Sequence, residues 1–261
     1  MMQRKTLSLR ALLALAAALA LPAAALAQSG WGTVRLDNWG FFQRNANGTN
    51  QWQYRPRIFV PYATEGGWTL TQRADLPLLY TDNTGPGNPG GGYTGGIGTI
   101  LFESIADTPE VAKNLTLRAS LRLVLEAPKG QPFGPPQYQI APGLGFTYRM
   151  PDALNGVTIS PYARYFWGFN AKTAGTQLIN TLNLFPSVTF GLAKDWSLAL
   201  YPENPITYNQ NNGTWFVPLD FLFVHRLSKD VEFGIGGAFK LGSPSNPSYD
   251  YIVDGRLTVF F

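Results

Sequence analysis

From Leu115 to Leu125 the odd positions are apolar (Leu115, Leu117, Ala119, Leu121, Leu123, Leu125), while the even ones read Thr116, Arg118, Ser120, Arg122 and Val124, with Glu126 just beyond. Alternation with period two places one set on each face of a strand, so this segment has one oily and one charged face. The pattern recurs in segments of about 10 to 14 residues, each bounded by Gly, Pro, Asn or Asp. It predicts strands near 33–42, 51–62, 68–80, 97–106, 114–127 and 138–150, then near 157–169, 180–192, 196–208, 214–227, 231–241 and 249–261. That total is even, as bacterial transmembrane barrels require, and such barrels need strands that are oily toward lipid and polar toward a lumen. The expected fold class is all-β: a transmembrane antiparallel up-and-down β-barrel of about 12 strands spanning residues 28–261. Trp39-Gly40 interrupts the first strand, so residues 28–45 form either a strand or an inward plug.

Turn character alternates along the chain. Glu65-Gly66-Gly67, Asp152 to Asn155, Lys194-Asp195 and Ser228-Lys229-Asp230 make one short set. The stretches 45–50, 81–93, 128–136, 170–177, 209–213 and 242–248, rich in Gly, Pro and Asn, make the other. Short periplasmic turns and longer extracellular loops give this asymmetry. The connection from Asp107 to Lys113 is longer than its set predicts.

The charges follow the same parity. On the face expected to line the lumen lie Arg55, Arg57, Arg73, Asp75, Glu103, Arg118, Arg122, Glu126, Arg149 and Arg164. Glu203, Asp220, Arg226, Glu232, Lys240, Asp254 and Arg256 continue the series. No charge falls at the middle of an oily face, where it would cost roughly 2 to 4 kcal/mol. Outward aromatics gather at strand ends, with Trp52, Tyr80, Tyr138, Trp167 and Trp215 toward the loops and Trp68, Trp196, Phe233 and Phe261 toward the turns. Two interfacial girdles have this form. A periplasmic β-sandwich is the alternative, with the same oily faces turned into one core. Prolines within the strands (56, 61, 77, 142, 161, 186, 202, 205 and 218) strain a closed barrel, which has no edge to accommodate a missing N–H. They are expected at bulges or strand ends.

Composition changes the picture in two places. Arg4, Lys5 and Arg10 precede an Ala/Leu run that ends at Pro22 and Ala25-Leu26-Ala27, the form of a secretory signal peptide over residues 1–27. A transmembrane anchor needs roughly 20 apolar residues, more than this run supplies. Without the segment, seventeen cations face sixteen acids, so the basic balance implies no nucleic-acid partner. The chain has no cysteine, hence no disulfide framework and no lipid attachment through sulfur. The expected location is the bacterial outer membrane, with outer-membrane lipids as surroundings.

Candidate chemistry is sparse. The single histidine, His225, falls on the outward parity near a periplasmic strand end, away from the nucleophile that a Ser-His or Asp-His site would need. Asp220 and Glu232 are the nearest thing to a carboxylate pair, and each is expected to have an Arg or Lys neighbour. Gly90-Gly91-Gly92 and Gly95-Gly96 belong to a loop and a strand entry, not to a phosphate-cradling strand-loop-helix unit. No cofactor, no metal and no enzymatic activity are expected. The basic ladder, interrupted by Tyr162, Phe166, Phe185 and Phe216, either selects small solutes by charge or simply pairs with acids in a filled interior.

Chain termination at Phe260-Phe261 behind Val253, Leu257 and Val259 resembles the terminal strand that the barrel-assembly machinery reads in outer-membrane proteins. From about Tyr54 onward the sequence also resembles a family of small outer-membrane transporters linked to the MetA pathway of phenol degradation. The resemblance rests on Arg57-Ile58-Phe59-Val60-Pro61-Tyr62, Gly96-Ile97-Gly98-Thr99 leading to Glu103, Leu184-Phe185-Pro186-Ser187-Val188, Asp195-Trp196-Ser197-Leu198 and Trp215-Phe216-Val217-Pro218-Leu219. This chain departs from the pattern at Thr99, where similar proteins carry an acid. The resemblance implies a barrel that passes small solutes passively, hydrophobic or aromatic ones among them. A closed structural or adhesive barrel and a lipid-modifying outer-membrane enzyme are the alternatives.

Overall fold

The computed structural model describes residues 32–128, 130–171, 177–242 and 249–261. The expected signal peptide and residues 28–31 lie outside them, as do 172–176 and 243–248 of the expected loops. Among the described residues twelve strands form one closed antiparallel barrel, five of them interrupted. They are β1 (Arg35–Arg44), β2 (Asn50–Ala63), β3 (Thr69–Asp75 and Leu78–Thr81), β4 (Thr94–Ile97 and Leu101–Asp107), β5 (Leu115–Val124) and β6 (Tyr138–Met150). Then come β7 (Val157–Ile159 and Tyr162–Phe169), β8 (Asn180–Phe185 and Val188–Ala193), β9 (Trp196–Leu200 and Ile206–Asn209), β10 (Thr214–Arg226), β11 (Val231–Gly242) and β12 (Tyr251–Phe260). Each strand pairs with its chain neighbours, and β1 closes on β12 in unbroken register from Arg35↔Phe260 to Arg44↔Tyr251. Residues 35–44 are therefore a strand and not a plug. Trp39 is buried inside, and Gly40 takes the outward position, so the alternation passes through the pair intact.

The burial pattern is inverted relative to a soluble protein. Leu144, Ile235, Val253, Phe102 and Leu257 are exposed on the outside, whereas Asp37, Arg57, Asp75, Glu103, Arg164 and Asp254 are buried within. A sandwich would bury the first group; a barrel in lipid exposes it. Polar side chains on the oily wall satisfy one another: the Tyr54 hydroxyl donates to Asn38 at 2.6 Å and Ser104 to Gln72 at 2.7 Å. Unpaired, each would carry the cost of a polar group in hydrocarbon. Trp52, Tyr80, Trp167 and Trp215 stand exposed at the loop end, and Trp68, Trp196, Phe233 and Phe261 at the turn end.

The prolines fit because their missing donors face gaps in the ladder. Pro77, Pro161, Pro186, Pro202 and Pro205 lie in the interruptions of β3, β7, β8 and β9, and Pro218 sits at a register shift. Pro56 points toward the break in β3, and Pro142 toward β7 where pairing skips from Arg164↔Gly143 to Trp167↔Ile140. Pro61 lies beyond the start of β1 and accepts from Gly32 through its carbonyl at 3.0 Å.

Two connections depart from expectation. The long one after β4 is a continued hairpin: Thr108 donates to Leu117 and Val111 to Leu115, both at 2.9 Å, with Asn114 in the left-handed region (φ 64°). The segment after β5, expected as an extracellular loop, folds against the barrel mouth. Its Phe133 packs with Leu79 and Ala127, over Gly96, where a Cβ would meet the ring at 2.8 Å. Backbone Gly87 also donates to Gln131 at 2.7 Å, tying this segment to the loop after β3.

Candidate functional site

Register aligns a row of opposite charges across β2 to β5. Arg57 lies opposite Asp75, Arg73 opposite Glu103, and Glu103 opposite Arg122. Such lateral neighbours on one face are within reach of long side chains. Arg57 Nε donates to Asp75 at 2.9 Å, and Arg73 grips the same carboxylate with two donors at 2.7 Å. Glu103 accepts from Arg122 Nη2 and from Ser120, each at 2.7 Å, and lies 3.4 Å from Arg73.

Two further bridges cross the lumen. Arg164 on β7 passes over β5 and β6 to pair with Glu103. Arg164 also donates to the Tyr162 hydroxyl at 3.2 Å, which fits against β6 only because Gly143 has no Cβ to overlap it. The other bridge comes from the interruption in β9. Tyr201 turns into the left-handed region (φ 50°), Pro202 and Pro205 have no N–H for the ladder, and the segment leaves the wall. Its Glu203 reaches Arg55 and Arg57 on β2, with four strands between them by the shorter way round. Asp220 on β10 holds this segment. It accepts from the Glu203 and Asn204 amides at 2.8 and 2.7 Å and from the Asn204 side chain at 2.9 Å. Replacing Asp220 with alanine removes all three, each worth about 1.5 to 3 kcal/mol if the acceptor is charged. The Glu203 and Asn204 amides should then exchange hydrogen at least about ten-fold faster while the barrel stays heat-modifiable. Unchanged exchange would mean that other contacts hold the segment.

Toward the loops the interior turns aromatic. Trp39 and Phe41 stack at 5.3 Å, and Phe216 meets Tyr249 edge-on at 4.8 Å. The Arg55 guanidinium lies 4.5 Å from the Phe41 ring, and Arg57 and Arg256 lie 5.7 and 5.4 Å from Trp39. Toward the turns a cavity of about 450 Å³ opens beside the ion-pair network, bordered by Phe59, Tyr162, Phe185 and Glu203 among others. Among the described residues seven arginines and two glutamates line it.

The network thus gathers Arg55, Arg57, Arg73, Asp75, Glu103, Arg122 and Arg164 from the expected lumen set, with Glu203 completing it. Arg118 pairs with Asp107 at the cavity's turn-side mouth (2.7 Å), and Glu232 with Arg256 on neighbouring strands (3.7 Å). Asp254 is buried opposite Phe41. Four expected residues are not in the lumen's interior. Arg149 and Arg226 are exposed at the turn end, and Lys240 is exposed near the loop end against Asp250 at 3.0 Å. Glu126 lies past the end of β5 in the folded-back segment. Parity points them inward, but their height along the strand carries them to or past the rim. Asp37, buried against Thr258 at 2.8 Å, is a lumen acid that the interruption at Trp39-Gly40 hid.

The candidate chemistry is dispersed. His225 stacks on Trp196 at 4.3 Å on the outer wall, its Nδ1 3.2 Å from the Asp195 carbonyl. Asp220 lies opposite Ala238, six positions along β11 from Glu232. It has Asn204 and backbone amides as partners in place of the expected cation.

No protein-family model and no curated protein matches the chain. Solved structures match its fold. The COG4313 outer membrane channel from Pseudomonas putida F1 superposes with a TM-score of 0.67 at 11% identity, covering 89% of this chain and 96% of that one. The β domain of the Bordetella autotransporter BrkA gives 0.54 at 12% identity, covering 88% and 99%. The KdgM porin in complex with disordered oligogalacturonate gives 0.52 at 8%, covering 87% and 99%. The fold is that of an outer-membrane β-barrel, and with its exposed apolar wall it places the protein in the bacterial outer membrane.

Proposed function

We propose that the protein is a passive outer-membrane channel for small solutes, exported by the signal peptide at 1–27 and assembled through its C-terminal strand. The observation that carries this reading is the incompletely filled lumen: ion pairs cross it, yet about 450 Å³ stays open beside them. Twelve strands give a bore between packed eight-stranded barrels and water-filled porins, which suits passage of single small molecules. The aromatic outer half, formed by Trp39, Phe41, Phe216 and Tyr249, supports a preference for solutes with a hydrophobic or aromatic body. That agrees with the resemblance to transporters linked to phenol degradation. A lipid-modifying enzyme finds less support, because His225 has a tryptophan face for company and lies outside the lumen.

The test is single-channel recording of the refolded mature protein in a planar bilayer under a salt gradient. Discrete steps with anion preference are expected, since arginines outnumber acids along the cavity. A tight bilayer with verified insertion would overturn the channel reading in favour of a closed structural or adhesive barrel.

A further inference from the structure

We propose that Arg55 and Arg57 form a carboxylate-binding site in the lumen, and that Glu203 occupies it as a tethered stand-in for the carboxylate of a small solute. Binding stands on the geometry alone; only its consequence, opening of the path when Glu203 is displaced, rests on the channel reading.

The cradle has the form of a ligand site. Arg57 meets Glu203 end-on with two parallel bonds, Nη1 to Oε2 at 2.9 Å and Nη2 to Oε1 at 2.8 Å, and Arg55 Nη2 adds a third at 2.6 Å. A planar fork facing both carboxylate oxygens is the arrangement that selects carboxylates over spherical anions. Asp75 holds the back of Arg57 through Nε at 2.9 Å, so the fork stays aimed when its occupant leaves. Arg55 Nε is buried without a hydrogen-bond partner.

The occupant arrives in an unusual way. Arg57 and Asp75 are cross-strand neighbours, but Glu203 comes from the opposite wall, on a segment that breaks the β9 ladder to deliver it. Local pairing therefore does not account for the contact. The Glu203 side chain is 14% exposed and borders the cavity, which gives it somewhere hydrated to go. Seven arginines line the cavity with Glu103 and Glu203, and the lumen acids Asp37, Asp75 and Asp107 pair with Arg35, with Arg57 and Arg73, and with Arg118. With Glu203 displaced, Arg55 and Arg57 keep Asp75 as the one carboxylate hydrogen-bonded to them, which favours an arriving anion. Phe59, whose ring lies 3.8 Å from Arg35 and 6.0 Å from Arg57, offers an apolar surface for the solute's body.

The test uses sodium benzoate and its uncharged analogue benzyl alcohol, titrated by calorimetry into the full mature barrel in detergent micelles. Wild type is expected to bind benzoate weakly and saturably. Glu203→Gln, which keeps the shape and removes the charge, should bind it roughly ten-fold tighter. The pairs Arg57→Gln with Glu203→Gln and Arg55→Gln with Glu203→Gln, which leave no unmatched glutamate at the cradle, should lose that gain. Heat-modifiable migration identifies the folded variants, and either pair suffices. The proposal is overturned if Glu203→Gln binds benzoate no more tightly than wild type, if benzyl alcohol binds equally well, or if both double variants retain the gain. Bilayer recordings on the same samples separate the two readings. Benzoate binding as expected with no current in any variant would sink the channel and leave the site. Currents through wild type with no benzoate binding by wild type or Glu203→Gln would sink the site and leave the channel.

Discussion

Glu103→Ala is expected to lower the stability of the folded barrel by about 3 to 5 kcal/mol, the usual loss when one member of a buried ionic cluster is removed. Its carboxylate is 2% exposed and serves Arg73, Arg122 and Arg164 together, with Ser120 as a fourth donor. Arg73 keeps Asp75 after the substitution. Arg122 on the neighbouring strand β5 and Arg164, drawn across from β7, both lose that carboxylate, and their like charges are left facing each other. Glu103→Gln should fall between, because an amide oxygen still accepts but carries no charge. Urea titration of the refolded protein in lipid vesicles, read by heat-modifiable migration, measures the difference. A loss below about 1 kcal/mol would put the pair contributions in the range of exposed bridges and show the cluster to be well hydrated.

Leu121→Arg is the second large effect. Leu121 stands on the lipid face near the middle of β5, opposite Ser104 and Pro142, so an arginine there should cost roughly 2 to 4 kcal/mol and depress folding into bilayers. The adjacent Arg122→Leu should be tolerated far better, because Glu103 retains Arg73, Arg164 and Ser120 and the new side chain sits inside. Folding yield into preformed vesicles compares the two directly. Equal yields would mean that the two faces of β5 are assigned the wrong way round.

The assignment of faces was legible in the sequence because it depends on a local property. Successive side chains of a strand point to opposite sides whatever its partners do, so Leu121 and Arg122 could be sorted without knowing what either touches. The even strand count, the girdles and the absence of charge on the oily wall follow from the same period. Prolines were legible only as a conflict; its resolution lies in which ladder gap each missing N–H faces, and that depends on the neighbouring strand.

Parity says inward or outward and nothing about height. Arg149, Arg226 and Lys240 share the parity of Arg57, yet they stand at the rims while Arg57 is buried, because the stagger of closed strands sets the level at which each side chain enters the lumen. Closure also decides who meets whom across the bore. The pairing of Arg73 with Asp75 lies two residues apart on one strand and could be suspected from spacing, but that of Arg57 with Glu203 joins residues 146 positions apart. The sequence by itself determined an alternating, lipid-clad barrel with its charges inside. Only the tertiary structure decided that β9 breaks inward and that its glutamate closes on two arginines of the opposite wall, since that contact exists only once the sheet has curved round to bring them face to face.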